Sequence, residues 1–135
     1  MIYFDSSALV KRYVKEKGSD GVKSLIERGE NIATSKLAYP EILSAFGRKH
    51  RAGELARGSF QGLVEQFLAD WNSVFVVELH DELLPTVKLL LGKYPLKGAD
   101  TVHLSSALWL KRAVQADLTF VASDVTLLKV SGLRC

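Results

Sequence analysis

Met1-Ile2-Tyr3-Phe4-Asp5-Ser6-Ser7-Ala8-Leu9-Val10-Lys11 opens the chain. An aspartate cuts off the apolar run, and a helical pattern follows at once. The run reads as a short buried strand over residues 2–5. Ala8, Leu9, Arg12, Tyr13 and Glu16 then fall at helical spacing over residues 6–16. The same order returns near the other end, where Leu118-Thr119-Phe120-Val121-Ala122 leads into Ser123-Asp124 and a short helical pattern over Val125–Val130. In a parallel sheet, strand C-termini and helix N-termini share one edge, and sites form there. Asp5 and Asp124, ending two buried strands, are expected to be neighbours.

The segments between repeat this alternation. Gly18 ends the first helix, and Ser19 or Asp20 caps a second to about Arg28, stopped by Gly29. Asn31-Ile32-Ala33-Thr34 reads as a strand. A helix follows to about Arg51, with Pro40 in its first turns. After Gly53 comes a helix over about 54–71, then a strand over Val74–Leu79. A helix from Asp81 to about Tyr94 is closed by Pro95, and a long one runs from Gly98 to about Ala116. Strands alternating with helices predict an α/β fold with a mostly parallel central sheet of four to five strands and helices on both faces. No linker, repeat or low-complexity stretch divides residues 1–135, so a single domain is expected.

The bulk composition fits this. Of 135 residues, 47% are hydrophobic and 24% charged, the balance of a globular protein rather than a disordered one. The net charge of +3 permits a nucleic-acid partner without requiring one. The single cysteine, Cys135, excludes a disulfide framework within the chain and fits a reducing compartment. No signal peptide is read at the start, and no apolar run approaches the ~20 residues of a membrane span. A cytoplasmic protein without membrane contact is expected.

Several α/β chemistries are excluded. There is no GxGxxG after the first strand, no GxxxxGK[ST], no GxSxG elbow, and no histidine pair at zinc spacing. The candidate donors are all oxygen: Asp5, Glu41, Asp100 and Asp124, with Ser6, Ser7, Thr101 and Ser123. Gathered carboxylates repel unless a cation lies between them, and oxygen donors suit magnesium or manganese. Each acid also has a plainer reading. Asp5 and Asp124 would serve as helix caps, and Glu41 and Asp100 as first-turn residues favoured by the helix dipole.

Taken together, four segments resemble the PIN-domain family, and within it the VapC-type ribonuclease toxins of toxin–antitoxin pairs. They are Tyr3-Phe4-Asp5-Ser6-Ser7-Ala8-Leu9-Val10-Lys11 with Tyr13 and Glu16; Tyr39-Pro40-Glu41-Ile42-Leu43-Ser44-Ala45; Gly98-Ala99-Asp100-Thr101-Val102-His103-Leu104; and Phe120-Val121-Ala122-Ser123-Asp124 with Leu127-Leu128. Their order and spacing match the family over nearly the whole chain. The resemblance implies a three-layer PIN-like fold and a metal-dependent endoribonuclease that hydrolyses RNA phosphodiester bonds. It implies that Asp5, Glu41, Asp100 and Asp124 form an acidic cluster for one or two Mg2+ or Mn2+ ions. Asp5 and Asp100 are the expected direct ligands. Ser6, Ser7 and Ser123 are expected to donate to carboxylate oxygens. A homodimer and a VapB-like antitoxin covering the acidic cleft are implied as well. In two places the chain departs from the family pattern: Ala122 stands where a Thr or Ser is common, and the chain stops soon after Gly132, where relatives usually continue into an edge strand.

Two other phosphate-handling lineages fit poorly. A haloacid-dehalogenase-like fold needs a second Asp two residues after the first, and position 7 is Ser. A receiver domain needs an acceptor Asp ending the central strand, and Leu79-His80 follow Glu78 instead.

Among the remaining residues, His103 lies on the Asp100 stripe of its helix, where packing or a hydrogen bond is expected before metal ligation. His50 and His80 read as surface residues. Lys11, Arg12, Lys15 and Lys17 form one basic stretch, and Arg48, Lys49, His50 and Arg51 another. Such runs are usually solvated helix surface; the functional alternative is contact with RNA phosphates, with Arg12 and Arg48 the best candidates. Asp20, Asp70, Asp81, Glu82 and Asp117 read as caps and turn residues, and Trp71, Trp109 and Tyr94 as core or interface.

Overall fold

The computed structural model describes residues 1–56 and 58–123. Strands β1 (Ile2–Phe4), β2 (Ile32–Ser35), β3 (Phe75–Val77) and β4 (Thr119–Val121) form one sheet in the order β3-β2-β1-β4, every pair parallel. Among the described residues six α-helices alternate with them: α1 (Ser6–Leu9), α2 (Ser19–Glu27), α3 (Ala38–Arg51), α4 (Ser59–Trp71), α5 (Leu84–Lys93) and α6 (Gly98–Val114). The strand order reverses beside β1, with β2 on one side and β4 on the other. The switch point where α/β proteins place ligands therefore lies between the C-terminal ends of β1 and β4.

Strand alternation distributes β1 between two cores. Ile2 and Phe4 pack with Leu9, Val22, Ile42, Phe46, Phe67 and Val121 on the α1–α4 face. Tyr3 points the other way, among Ala33, Val77, Leu90, Leu104, Leu110 and Phe120 on the α5–α6 face. All three are fully buried. Each such side chain contributes roughly 1.5–3 kcal/mol by leaving water, which is why a three-residue strand suffices as the centre of the sheet. Register pairs Tyr3 with Phe120, and their rings stack at 5.5 Å.

Several element bounds differ from the sequence expectation for local reasons. The first helix is only one turn, continued by a 3-10 turn over Val10–Arg12. Ser19 Oγ accepts from the Glu16 N–H and donates to the Val14 carbonyl, so groups a longer helix would pair are satisfied by a side chain. The helix expected over 54–71 begins at Ser59, because Gly53 and Gly58 hold left-handed backbone (φ 73° and 84°) that interrupts a right-handed helix. The helix expected from Asp81 starts as a 3-10 turn, Asp81–Leu83, before α5. Pro40 is the third residue of α3, where its missing N–H is least missed. The last helix expected, at 125–130, lies outside the described residues, as does Asp124.

Candidate active site at the carboxyl edge of the sheet

Asp5 follows β1 and extends its ladder, its N–H bonding the Val121 carbonyl at 3.0 Å. The cap reading of this residue is observed. Asp5 Oδ1 accepts from the Ala8 N–H at 2.9 Å and so caps α1. Ser7 Oγ donates to both carboxylate oxygens, at 2.8 and 3.0 Å. Asp5 is only 2% exposed, and burial pushes its carboxyl above the ordinary range. Positive charge on His103 and the bonds from Ala8 and Ser7 oppose that push, while the negative charge of Asp100 adds to it. Asp100, third residue of α6 and half-buried, thus stands within electrostatic reach of Asp5.

Glu41 occupies the first turn of α3. Ser6 Oγ donates to Glu41 Oε1 at 2.5 Å, and His103 Nε2 lies 2.8 Å from the same oxygen. Burial raises the Glu41 carboxyl, but the bonds from His103 and Ser6 and the positive charge of His103 outweigh it, and the net shift is downward. Behind His103, the Tyr3 hydroxyl lies 2.9 Å from Nδ1. Burial, the largest influence, and the charges of Asp5 and Glu41 hold the Tyr3 phenol well above its usual range, despite opposing bonds from Ser106 and Ser35. It remains a neutral O–H.

The expected hydroxyls therefore divide. Ser7 serves Asp5, and Ser6 serves Glu41. Ser123, two residues past β4, reaches Ser7: its N–H donates to Ser7 Oγ at 3.2 Å and its hydroxyl to the Ser7 carbonyl at 3.4 Å. Tyr3 was missed by sequence reasoning, although a signal existed. Strand alternation aims Tyr3 at the α6 face, and His103 is one turn beyond Asp100 on that helix. Among the described residues, no three His, Cys, Asp or Glu side chains are arranged to hold a metal ion. The donor set nonetheless suits a hard cation in kind. The carboxylates are oxygen donors fixed by hydroxyls and a helix N-terminus, and the charge of Asp100 presses on buried Asp5.

The two candidate RNA contacts lie in different places. Arg48 lines a groove of about 480 Å3 with Ser7, Ser123, Lys11 and Lys49, beside the acidic edge. Lys11 and Lys49 are ion-paired with Glu16 and Glu54. Arg48 instead donates to the neutral Ser44 hydroxyl at 2.9 Å and has no ion pair among the described residues. Arg12 is held by Asp70 at 3.0 Å, and the Tyr13 hydroxyl donates to the same oxygen at 2.7 Å. These residues line a cavity with Met1, Asn31 and Phe75, at the N-terminal ends of the strands and away from Asp5. Asp70, expected as a cap or turn residue, is this anchor inside α4.

A buried carboxylate, Asp5, at the switch point of a 3-2-1-4 parallel sheet, with half-buried Glu41 from α3 and Asp100 from α6, defines an α/β protein with an acidic edge. The chain belongs to the PIN-domain family, whose model matches residues 2–132. Curated relatives include Ribonuclease VapC45 and Ribonuclease VapC49 of two Mycobacterium tuberculosis strains (CDC 1551 / Oshkosh and ATCC 25618 / H37Rv). Each is 32% identical over 108 residues, covering 80% of this chain and 75% of the relative. Ribonuclease VapC47 of strain CDC 1551 / Oshkosh is 26% identical over 124 residues, covering 89% and 84%. Among solved structures, VapBC2 from Rickettsia felis, bound to a DNA fragment from its promoter, superposes with a TM-score of 0.64. That match covers 98% of this chain and 96% of the other at 16% identity, a likeness of fold.

Proposed function

We propose that this protein is an endoribonuclease, the toxin of a toxin–antitoxin pair, and that Asp5, Glu41, Asp100 and Asp124 are its working residues. The observation that carries the reading is Asp5, almost fully buried at the switch point and pressed by the charge of Asp100, in a chain whose relatives are named ribonucleases. Holding a buried carboxylate near a second negative charge is unfavourable unless a cation or a proton joins them. Asp5 and Asp100 would hold a Mg2+ or Mn2+ ion directly, with Asp124 completing the set and Glu41 orienting water or meeting a second ion. When bound, such an ion supplies Lewis acidity that eases deprotonation of water and offsets charge on the phosphodiester.

The chain's own residues do the rest. Ser7 and the α1 N-terminus fix the Asp5 carboxylate. Ser6 and His103 fix Glu41. Arg48 offers a charge for a phosphate flanking the scissile bond, and its groove opens at Ser7 beside the acids. No protein nucleophile is required, since water attacks. Exposed apolar side chains on α5, Leu84, Leu89 and Leu91, support a homodimer, and a VapB-like antitoxin is the partner expected over the acidic cleft.

The test is cleavage of a mixed RNA pool by purified protein with magnesium or manganese, against the same reaction in EDTA. Metal-dependent cutting is expected, and cutting that is equal in EDTA would overturn the reading.

A further inference from the structure

His103 is 2% exposed on α6, whose buried residues also include Leu104, Ala107 and Leu110, but the ring is not held by apolar packing alone. Each ring nitrogen meets a partner from a different element. Nδ1 faces the Tyr3 hydroxyl of β1 at 2.9 Å; Nε2 faces Glu41 Oε1 of α3 at 2.8 Å and Ser6 Oγ of α1 at 3.0 Å. An ionised carboxylate only accepts, so Nε2 carries a proton. In the neutral ring Tyr3 donates to Nδ1; in the imidazolium Nδ1 donates to the Tyr3 oxygen. Either way, Nε2–H stays on Glu41. Ser6 donates to the same Oε1 at 2.5 Å, so both donors converge on one oxygen and neither takes Oε2.

We infer that His103, backed by Tyr3, is a positioning residue that clamps Glu41 through Oε1 and turns Oε2 to the acidic cleft. Because α6 also carries Asp100 one turn earlier, this clamp ties the rotation of that helix to the setting of Glu41. Removing a hydrogen-bond partner from behind a ligating group costs roughly 10–100-fold in metal affinity or activity. The inference rests on the ribonuclease reading above, and it assigns His103 no contact with RNA.

The experiment compares full-length wild type with His103→Ala, His103→Gln, Tyr3→Phe and Asp5→Asn. Manganese binding is read by calorimetry, RNA cleavage as separate kcat and KM, and folding by thermal unfolding. Gln retains an N–H at the position of Nε2. His103→Ala is expected to lose about 10-fold or more in kcat and in manganese affinity, with KM for RNA little changed. His103→Gln should regain most of both, and Tyr3→Phe should fall between. If His103→Ala does not fold, the Gln and Phe variants carry the comparison. Folded variants with wild-type kcat and manganese affinity would overturn the clamp. So would a folded His103→Gln as impaired as an ordinary cleft mutant, since it would point to proton transfer by the imidazole. Failure of the underlying reading looks different: wild type would neither cleave RNA nor bind manganese in a way that Asp5→Asn abolishes, and the clamp would fall with it.

Discussion

Ser123 just past β4 bonds Ser7 at the start of α1 twice, N–H to hydroxyl and hydroxyl to carbonyl, while the Ser7 hydroxyl donates to both oxygens of Asp5. One small side chain orients the buried carboxylate and anchors the residue preceding Asp124. Ser7→Ala is expected to lose about 1 kcal/mol of stability, the net worth of a typical hydrogen bond. It should also lose about 10-fold in RNA cleavage, because the carboxylate loses the partner behind it. Denaturant unfolding and initial rates check this, and an unchanged rate would contradict it.

Asp5 should be a case of stability given up for function. Its carboxyl is pushed up by burial and by Asp100, so ionising it opposes folding. In the metal-free protein that penalty is absent below the ordinary carboxylate pKa. It grows as pH rises from there through the raised folded value, and is complete above it. Asp5→Asn keeps an acceptor for the Ala8 N–H and removes the charge. At neutral pH it should raise the melting temperature of the metal-free protein by a few degrees, on the order of 1 kcal/mol, while abolishing cleavage. Thermal unfolding in EDTA reads the sign, and a lowered melting temperature would contradict it.

Glu41 should respond with the opposite sign. Its carboxyl is held low by net effect, so its ionised form supports the fold. That support is present above the unfolded carboxylate pKa and is lost as pH falls through the lowered folded value. Glu41→Gln should therefore destabilise the protein at neutral pH, by no more than a fraction of a kcal/mol because the carboxyl is partly solvated, and the difference should vanish in acid. Paired unfolding curves across the acid range test it.

Divalent cations should separate the same residues. An ion that binds only the folded state stabilises it by about 2.7 kcal/mol at a hundredfold excess over Kd. Manganese should raise the melting temperature of the wild type and leave that of Asp5→Asn nearly unmoved. Equal shifts in both would place the ion elsewhere.

The two arginines make a further contrast. Arg48→Ala should raise KM for RNA several-fold and flatten its salt dependence, with kcat nearly intact, as expected for a phosphate contact. Arg12→Ala, removing a half-exposed pair with Asp70, should cost about 0–1 kcal/mol of stability and leave KM alone. Salt titrations of RNA binding distinguish them, and equal effects would contradict the placement.

Much of this was legible in the sequence, for identifiable reasons. β1 and β4 were readable because short apolar runs ending in an acid have few alternatives in an alternating chain. Asp5 was readable twice, as cap and as site residue; the structure shows the cap, and the buried carboxylate at the switch point supports the proposal of the other role. The partition of the serines was not readable: whether Ser6 or Ser7 serves Asp5 depends on helix phase in a single turn. Arg12 and Arg48 looked alike because a basic run does not reveal its face. Asp70, fifty-eight residues from Arg12 in sequence, fixes where the Arg12 side chain lies through tertiary contact. The link from Tyr3 to His103 spans a hundred residues and follows only from strand register and helix placement together.

The most direct measurement is single-turnover cleavage of an RNA pool in manganese by wild type, Asp5→Asn and Asp100→Asn, each shown to be folded. Cutting by the wild type alone, silenced by either substitution, is the result predicted for an acidic-cluster ribonuclease. Cutting that persists in both folded variants would mean the carboxyl edge of the sheet is not where the chemistry occurs.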